Sequence, residues 1–227
     1  MSLFRPTAVL AVTALSLAAP RLRPQGPAET LDRASRVFKQ AKTVRATFEQ
    51  TLKNPLTGTE ARATGEIVLQ QPNRMAVNFT KPSGDRVVSD GKWLWVYLPS
   101  TAPNQVIKLP AKSKGISGVD LVGELLTAPT SRYDVADGGA ATVGGRATRA
   151  VALTPKADGG AIAKATVWID DADASLRQFE VTDANGLVRT VRLTSWTANG
   201  GVPSGAFQFR VPNGVRVVDQ SMLPGQY

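Results

Sequence analysis

Hydrophobic positions along the chain change their period once, at about residue 44. Between residues 27 and 43, Leu31, Ala34, Phe38 and Ala41 recur every three or four residues, with basic residues between them. This spacing predicts an amphipathic helix. One narrow apolar stripe is more typical of a helix packed on a sheet than of a basic helix lying on an anionic membrane, so we expect Leu31 and Phe38 to face inward.

After residue 44 apolar and polar residues alternate, which is the period of β-strands. Short turns separate the alternating runs, so consecutive strands are predicted to pair as antiparallel hairpins. The glycine pairs at 138–139, 144–145 and 159–160 are predicted hairpin turns, because none has the strand-to-helix context of a phosphate loop. Strands are predicted at residues 46–52, 61–69, 75–79, 87–89, 93–98, 105–109, 146–154, 161–170, 176–183, 187–197, 206–211 and 215–218.

The hairpin at residues 87–98 carries an unusual amount of ring surface. Its Asp90-Gly91 pair supplies the positive φ that a tight turn needs. In the second strand, Trp93, Trp95 and Tyr97 share one face, and three aliphatic residues share the other. A strand that is apolar on both sides is covered on both faces. We therefore predict a hydrophobic floor here, covered either by protein or by a ligand.

The alternating pattern breaks between residues 112 and 128, where apolar residues lie among charged residues and three glycines. Ser117 and Asp120 are suitable helix caps, so one or two short helices are predicted. Such a segment is either a fixed plug over one end of a barrel or a lid that opens. The lid residues predicted to face inward are Ile116, Val119, Leu121, Leu125 and Leu126. No second hydrophobic core or linker interrupts the chain, which predicts a single domain.

Composition excludes several kinds of active site. The 227 residues include no cysteine and no histidine, which removes Ser-His-Asp and Cys-His nucleophilic sites and the usual zinc ligand sets. The acidic run at residues 170–173 does not continue as a calcium loop, because Leu176 and Thr182 stand where a glycine and a bidentate acid are needed. The carboxylates of Glu49 and Glu66 are not placed in a common cleft by the sequence. We therefore predict no enzymatic activity, no metal and no cofactor.

Residues 1–19 have the layout of a secretory signal peptide: Arg5, an apolar run, and small residues near Ala18 and Ala19. The run is shorter than the roughly 20 residues that span a bilayer, so an exported protein of residues 20–227 is favoured over a membrane-anchored one. The formal net charge of +9 favours acidic partners such as an anionic membrane or an acidic protein domain. Nucleic acid is not expected, because no basic cluster is interleaved with aromatic residues on a docking element.

Several short motifs follow one another along the chain. They are Thr47-Phe48-Glu49-Gln50, Gly65-Glu66-Ile67-Val68-Leu69, Pro72-Asn73, Phe79-Thr80-Lys81-Pro82, Val88-Ser89-Asp90-Gly91-Lys92 with Leu94-Trp95-Val96-Tyr97, Phe207-Gln208-Phe209 and Pro212-Asn213-Gly214-Val215. In this order and spacing the motifs resemble the LolA family of periplasmic outer-membrane lipoprotein carriers. The resemblance extends over nearly all of the chain after the signal peptide, and the order and spacing are more specific than any one motif.

The resemblance implies a mainly β fold: an incomplete, half-open antiparallel β-barrel whose concave apolar face is closed by an N-terminal helix and a short helical lid. It also implies a monomeric carrier of acylated lipoproteins, which receives cargo from an inner-membrane ABC transporter and delivers it to an outer-membrane receptor lipoprotein. An exported β-barrel enzyme and a lipid or lipoprotein sensor with an apolar pocket remain the alternatives. The expected lipid-binding residues are Leu31, Phe38, Met75, Val77, Phe79, Trp93, Trp95 and Tyr97.

One position departs from the family pattern. Members of the family often have a basic residue directly before the Pro-Asn element, where it holds the closed lid by hydrogen bonds. This chain has Gln71 there, and Arg74 is the nearest basic alternative. Gln71 and Arg74 are therefore the candidates for a lid latch, and a latch based on Gln71 is expected to be weaker than one based on arginine.

Overall fold

The N-terminal helix packs its apolar stripe inward, as the spacing predicts. The computed structural model describes residues 26–111 and 120–219. Helix α1 spans Pro27–Gln40, and Leu31, Ala34 and Phe38 are buried. The helix ends at Gln40 rather than at residue 43, because Ala41 is already extended and the next strand begins soon after it. No helix within the described ranges is long and apolar enough to cross a membrane.

The rest of the described chain is mainly strand. Two short helices, α2 and α3, lie between the first six strands and the last seven. The elements after α1 are β1 (Thr43–Lys53), β2 (Glu60–Gln70), β3 (Arg74–Lys81), β4 (Arg86–Ser89), β5 (Trp93–Tyr97), β6 (Gln105–Pro110), α2 (Leu121–Leu126), α3 (Pro129–Arg132), β7 (Tyr133–Val143), β8 (Arg146–Pro155), β9 (Ile162–Asp170), β10 (Leu176–Asp183), β11 (Val188–Leu193), β12 (Thr197–Ala198) and β13 (Arg216–Asp219).

All these strands belong to one sheet in the order β13-β6-β5-β4-β3-β2-β1-β11-β10-β9-β8-β7, with β12 beside part of β1. Strand β1 joins the two halves, because it pairs along its whole length with β2 and on its other side with β11. Within the described residues the end strands β7 and β13 do not pair with each other, so the sheet curves without closing. The predicted mainly β, half-open barrel with an N-terminal helix is confirmed.

Three local predictions about strands and turns are wrong. Strand β13 pairs with β6 in parallel, not antiparallel, because a long irregular segment carries the chain back across the sheet before it pairs. Residues 206–211, predicted as a strand, belong to that irregular segment. The pair Gly138-Gly139 is not a hairpin turn either: it forms a bulge inside β7, and the turn to β8 is at Gly144-Gly145.

The curved sheet has two differently covered faces. Its inner face packs under α1 and α2 and contains the main hydrophobic core. On its outer face the irregular segment places Phe207 over Val68, Ala76 and Val88, which form a second, smaller cluster. Phe209 continues this cover, because its ring stacks on Trp95 with centroids 5.5 Å apart. The protein itself therefore covers part of the outer face of β2 to β5, around Val68, Ala76, Val88 and Trp95.

A buried carboxylate stabilises the far end of the sheet. Asp170 is 2% exposed, and its Oδ2 accepts from Nε of Arg146 at 2.6 Å and from Nε of Arg177 at 2.9 Å. Burial by itself would raise the pKa of Asp170, but the hydrogen bonds from Arg146, from the Ala172 amide and from Arg177 outweigh it and hold the pKa well below its usual range. The acidic turn is thus an ion-paired corner of the fold.

Replacing Asp170 by asparagine is expected to lower the free energy of unfolding by about 2 kcal/mol at neutral pH, because two guanidinium groups lose a buried charged acceptor and keep only the exposed Asp173. A depressed folded-state pKa contributes stability above the unfolded-state pKa of about 3.9 and loses it as the pH falls below that value. Urea unfolding of Asp170→Asn should therefore depend less on pH below 4 than that of the starting protein. Asp134→Asn is the control, since this carboxylate is exposed and lies 3.9 Å from Lys156; equal losses in both variants would contradict the account.

Candidate ligand-binding cavity

An apolar cavity of about 230 Å³ lies against the inner face of the sheet, under α2. Its wall is built by alternate residues of neighbouring strands, which point to the same side. The register places Phe48, Gly65 and Phe79 side by side across β1, β2 and β3. The apolar lining consists of Phe48, Ile67, Leu69, Met75, Val77, Phe79, Val87, Val96, Leu98, Leu121, Val122, Phe179 and Val191.

A glycine shapes one wall of the cavity. The rings of Phe48 and Phe79 meet edge to face, with centroids 5.5 Å apart, across the strand that carries Gly65. A Cβ at residue 65 would clash with the carbonyl oxygen of Asn78 and with the Phe48 ring. Glycine is therefore needed at this position so that the Phe48 ring can pack directly over the backbone of β2 and meet Phe79.

The predicted lipid-binding residues do not all lie at the cavity. Met75, Val77 and Phe79 line the cavity. Leu31 is fully buried in the main core under α1 and is not among the lining residues, and Phe38 borders a second, neighbouring cavity.

The placement of Trp93, Trp95 and Tyr97 on the cavity floor is wrong. Trp95 and Tyr97 face Phe209 on the outer side of the sheet, with centroid distances of 5.5 and 6.0 Å. The Trp93 ring lies 3.8 Å from Nζ of Lys108. The opposite face of the same strand supplies Val96 to the cavity, and Leu98 follows it just beyond the strand end. The rings are thus covered by protein, which is one of the two possibilities that the sequence left open.

Helix α2 covers the cavity. Asp120 is its N-cap, and the carboxylate Oδ1 accepts from the Gly123 amide at 2.9 Å. A side chain at residue 123 would displace that carboxylate, so glycine at this position leaves room for the N-cap. Leu121 lines the cavity, whereas Leu125 and Leu126 are fully buried in the main core. The predicted lid residues Ile116 and Val119 lie outside the described residues, as does the predicted signal peptide at 1–19.

The two latch candidates lie near the start of α2. Gln71 and Arg74 are exposed and border a second cavity of about 210 Å³. Asp120 and Glu124 of the α2 region border the same cavity. A latch between the β2–β3 turn and α2 is therefore compatible with this arrangement and remains a prediction.

Two charged side chains line the cavity: Asp120, the N-cap of α2, and Arg189, whose place there the sequence did not predict. Arg189 of β11 points to the same side as Val191, and its Nη1 donates to Oε1 of Gln50 at 3.3 Å. Burial lowers the pKa of Arg189, and the charge of Asp183 acts in the opposite direction. Arg189, Val191 and Leu193 occupy alternate positions of β11 and therefore share one face of the sheet. The sequence alone did not show whether this face lies inside.

The fold and the cavity together define a class of protein: half-open β-barrels with an apolar space between a curved sheet and a helical cover. The family described as "Outer membrane lipoprotein carrier protein LolA" matches residues 39–210, and the chain belongs to this family. The resemblance found in the sequence motifs is thus confirmed. This is a family of carriers rather than of enzymes.

Individual relatives agree with the family assignment. An outer-membrane lipoprotein carrier protein from Sodalis glossinidius is 28% identical over 193 residues, covering 85% of this chain and 89% of the relative. A protein of the same name from Leptothrix cholodnii is 29% identical over 176 residues, covering 78% and 79%. The solved structure of an uncharacterized conserved protein from Thermus thermophilus has a TM-score of 0.54 at 18% identity, covering 85% of this chain and 98% of that one, which shows a similar fold.

Proposed function

We propose that the protein is a periplasmic carrier that binds the acyl chains of lipoproteins in the apolar cavity under α2. The observation that carries the proposal is a cavity whose wall is mainly apolar, from Phe48 and Phe79 on the sheet to Leu121 on α2. Family membership and the names of the curated relatives support a lipoprotein as cargo. Each buried CH₂ of an acyl chain contributes about 0.8 kcal/mol, so an acylated protein needs such a shelter to cross water.

The size of the cavity supports a cover that moves. About 230 Å³ is less than the roughly 300–1,000 Å³ of a usual small-molecule pocket, so an acyl chain would need more space than the described residues leave. Leu121 and Val122 form part of the wall, and their displacement would enlarge the space directly. We infer that residues 112–128 form a lid whose described part is α2, with Gln71 or Arg74 as the residue that holds it closed.

The route of the cargo follows from the same proposal. We propose that an inner-membrane ABC transporter loads the carrier and that an outer-membrane receptor lipoprotein unloads it. The positive charge of the chain supports contact with acidic partners or an anionic membrane surface. Such contacts weaken with salt, because the Debye length falls to about 8 Å at physiological ionic strength.

Binding of an acylated peptide tests the proposal. A fluorescent peptide with the sequence of a lipoprotein N-terminus is prepared with and without its acyl chains and titrated with the exported form of the protein, residues 20–227. We expect saturable binding of the acylated peptide and a far lower affinity for the unacylated one. Equal affinities would reject the acyl-binding cavity and leave an enzyme or a protein-sensing role as the better explanation.

A further inference from the structure

Arg189 is the one cationic side chain that the described residues contribute to the cavity wall. It lies on β11 opposite Leu52 of β1 and Val181 of β10, both apolar. An arginine in such surroundings loses hydration, and its fork of five N–H donors then requires acceptors. The arrangement therefore needs an explanation beyond packing.

The guanidinium of Arg189 has few acceptors in the described protein. Its Nη1 donates to Oε1 of Gln50 at 3.3 Å, and no carboxylate of the described residues lies within the 4.0 Å of an ion pair. Arg192, three residues along the same strand, is different: it is exposed on the outer face and pairs with Glu49. Arg192 thus has an anionic partner, whereas Arg189 in the cavity wall keeps N–H donors available for a ligand.

The position of Arg189 suggests what would accept from those donors. The side chain borders the apolar cavity and also an adjacent cavity of about 270 Å³, and Leu121 of α2 borders both. Asp183 and Asn185 give this 270 Å³ cavity a polar rim. A chain that fills the apolar cavity and passes under Leu121 would bring its polar end to the guanidinium. Most of the adjacent cavity is apolar as well, so Arg189 lies between two apolar spaces, with Asp183 and Asn185 as the polar residues near it.

We propose that Arg189, supported by Gln50, binds the oxygen-bearing end of the acyl ligand, as a carboxylate or as an ester carbonyl. The proposal rests on the proposed function and adds a selectivity: long-chain ligands with an acceptor at the head bind better than those with a cationic head. A guanidinium suits this role, because its planar fork matches two oxygens and its charge persists at every physiological pH. Lysine would keep the charge but lose the two-point geometry.

Three ligands with twelve-carbon chains distinguish the possible sources of the oxygen: laurate, methyl laurate and dodecyltrimethylammonium. Each displaces a fluorescent acyl probe from the starting protein, from Arg189→Gln and from the control Arg192→Gln on the outer face. We expect Arg189→Gln to bind laurate about tenfold more weakly and the cationic ligand no more weakly than the starting protein. A larger loss for laurate than for the methyl ester identifies a carboxylate site, and equal losses identify an ester-carbonyl site. Arg192→Gln should change none of the three affinities.

Two results would overturn the inference. If Arg189→Gln changes all three affinities equally or none of them, the guanidinium does not select the head of the ligand, although the acyl cavity stands. If the starting protein binds none of the three ligands, the cavity does not accept acyl chains, and the proposed function fails with the inference. Thermal unfolding of both variants, together with partial recovery of laurate binding in Arg189→Lys, shows whether a loss reflects the lost charge or misfolding.

Discussion

Replacing Val96 by aspartate is expected to weaken binding of the acylated peptide by about 100-fold. Val96 lies in the cavity wall, so a carboxylate there must either lose its hydration when an acyl chain enters or keep water in an apolar space. A penalty of about 2.7 kcal/mol corresponds to that factor. Because Val96 is only partly buried and borders the cavity, the variant should still fold. Fluorescence titration gives the affinity, and circular dichroism checks the fold.

The same substitution at Val188 is the matched control for Val96→Asp. Val188 lies on β11 beside Arg189, is similarly half-buried and is not among the cavity-lining residues, because it points to the other face of the sheet. Val188→Asp should therefore leave acyl binding within about twofold of the starting protein. If both variants lose affinity to the same extent, the effect comes from altered stability or net charge, and the assignment of the inner face is wrong.

Replacing Val77 by phenylalanine is expected to raise stability while it reduces acyl binding. Val77 lines the cavity, so the larger ring occupies cavity space and gains roughly 1 kcal/mol of unfolding free energy. An entering acyl chain must then displace the ring, at a cost of about 1–3 kcal/mol, which lowers the affinity roughly 5- to 150-fold. Urea unfolding measures the gain in stability, and fluorescence titration measures the loss of affinity. A gain in the first together with a loss in the second indicates that the ring fills the space in which the acyl chain binds.

Val151→Phe is the control for this cavity-filling variant. Val151 is fully buried in the main core on β8 and does not line the cavity, so there is no space for the larger ring. Overpacking should lower the stability by about 1–3 kcal/mol and leave the affinity of the folded protein unchanged. A loss of stability in Val77→Phe equal to that in Val151→Phe would show that the cavity is not available space.

The sequence predicted the elements better than their faces. Period-two alternation located most strands, since hairpins with short turns depend on local residues. The strand from Trp93 to Tyr97 is apolar on both sides, so alternation did not show which face lies inside. The answer depends on Phe207 and Phe209, more than 100 residues along the chain, which cover the outer face. For the same reason the parallel pairing of β13 with β6 was not predictable from local patterns.

The candidate site was predictable in part. Met75, Val77 and Phe79 were identified because their strand alternates clearly between two turns. Arg189 was missed, because an arginine among alternating residues is usually a solvated outer position. Its inward position follows from register: β11 pairs with β1 so that Val191 lies opposite Gln50 and Arg189 opposite Leu52. That pairing joins residues about 140 positions apart, which no local pattern reveals.

If acyl chains bind against the inner face of the sheet, photo-crosslinking should locate them there. A peptide whose acyl chain carries a diazirine near its end is bound to the protein and irradiated, and the labelled residues are located by mass spectrometry. We expect labels on cavity residues such as Phe48, Met75, Val77 and Val96, and we expect excess unlabelled acylated peptide to reduce this labelling. Competed labels on the outer face instead, at Trp95 or Phe209, would contradict binding against the inner face.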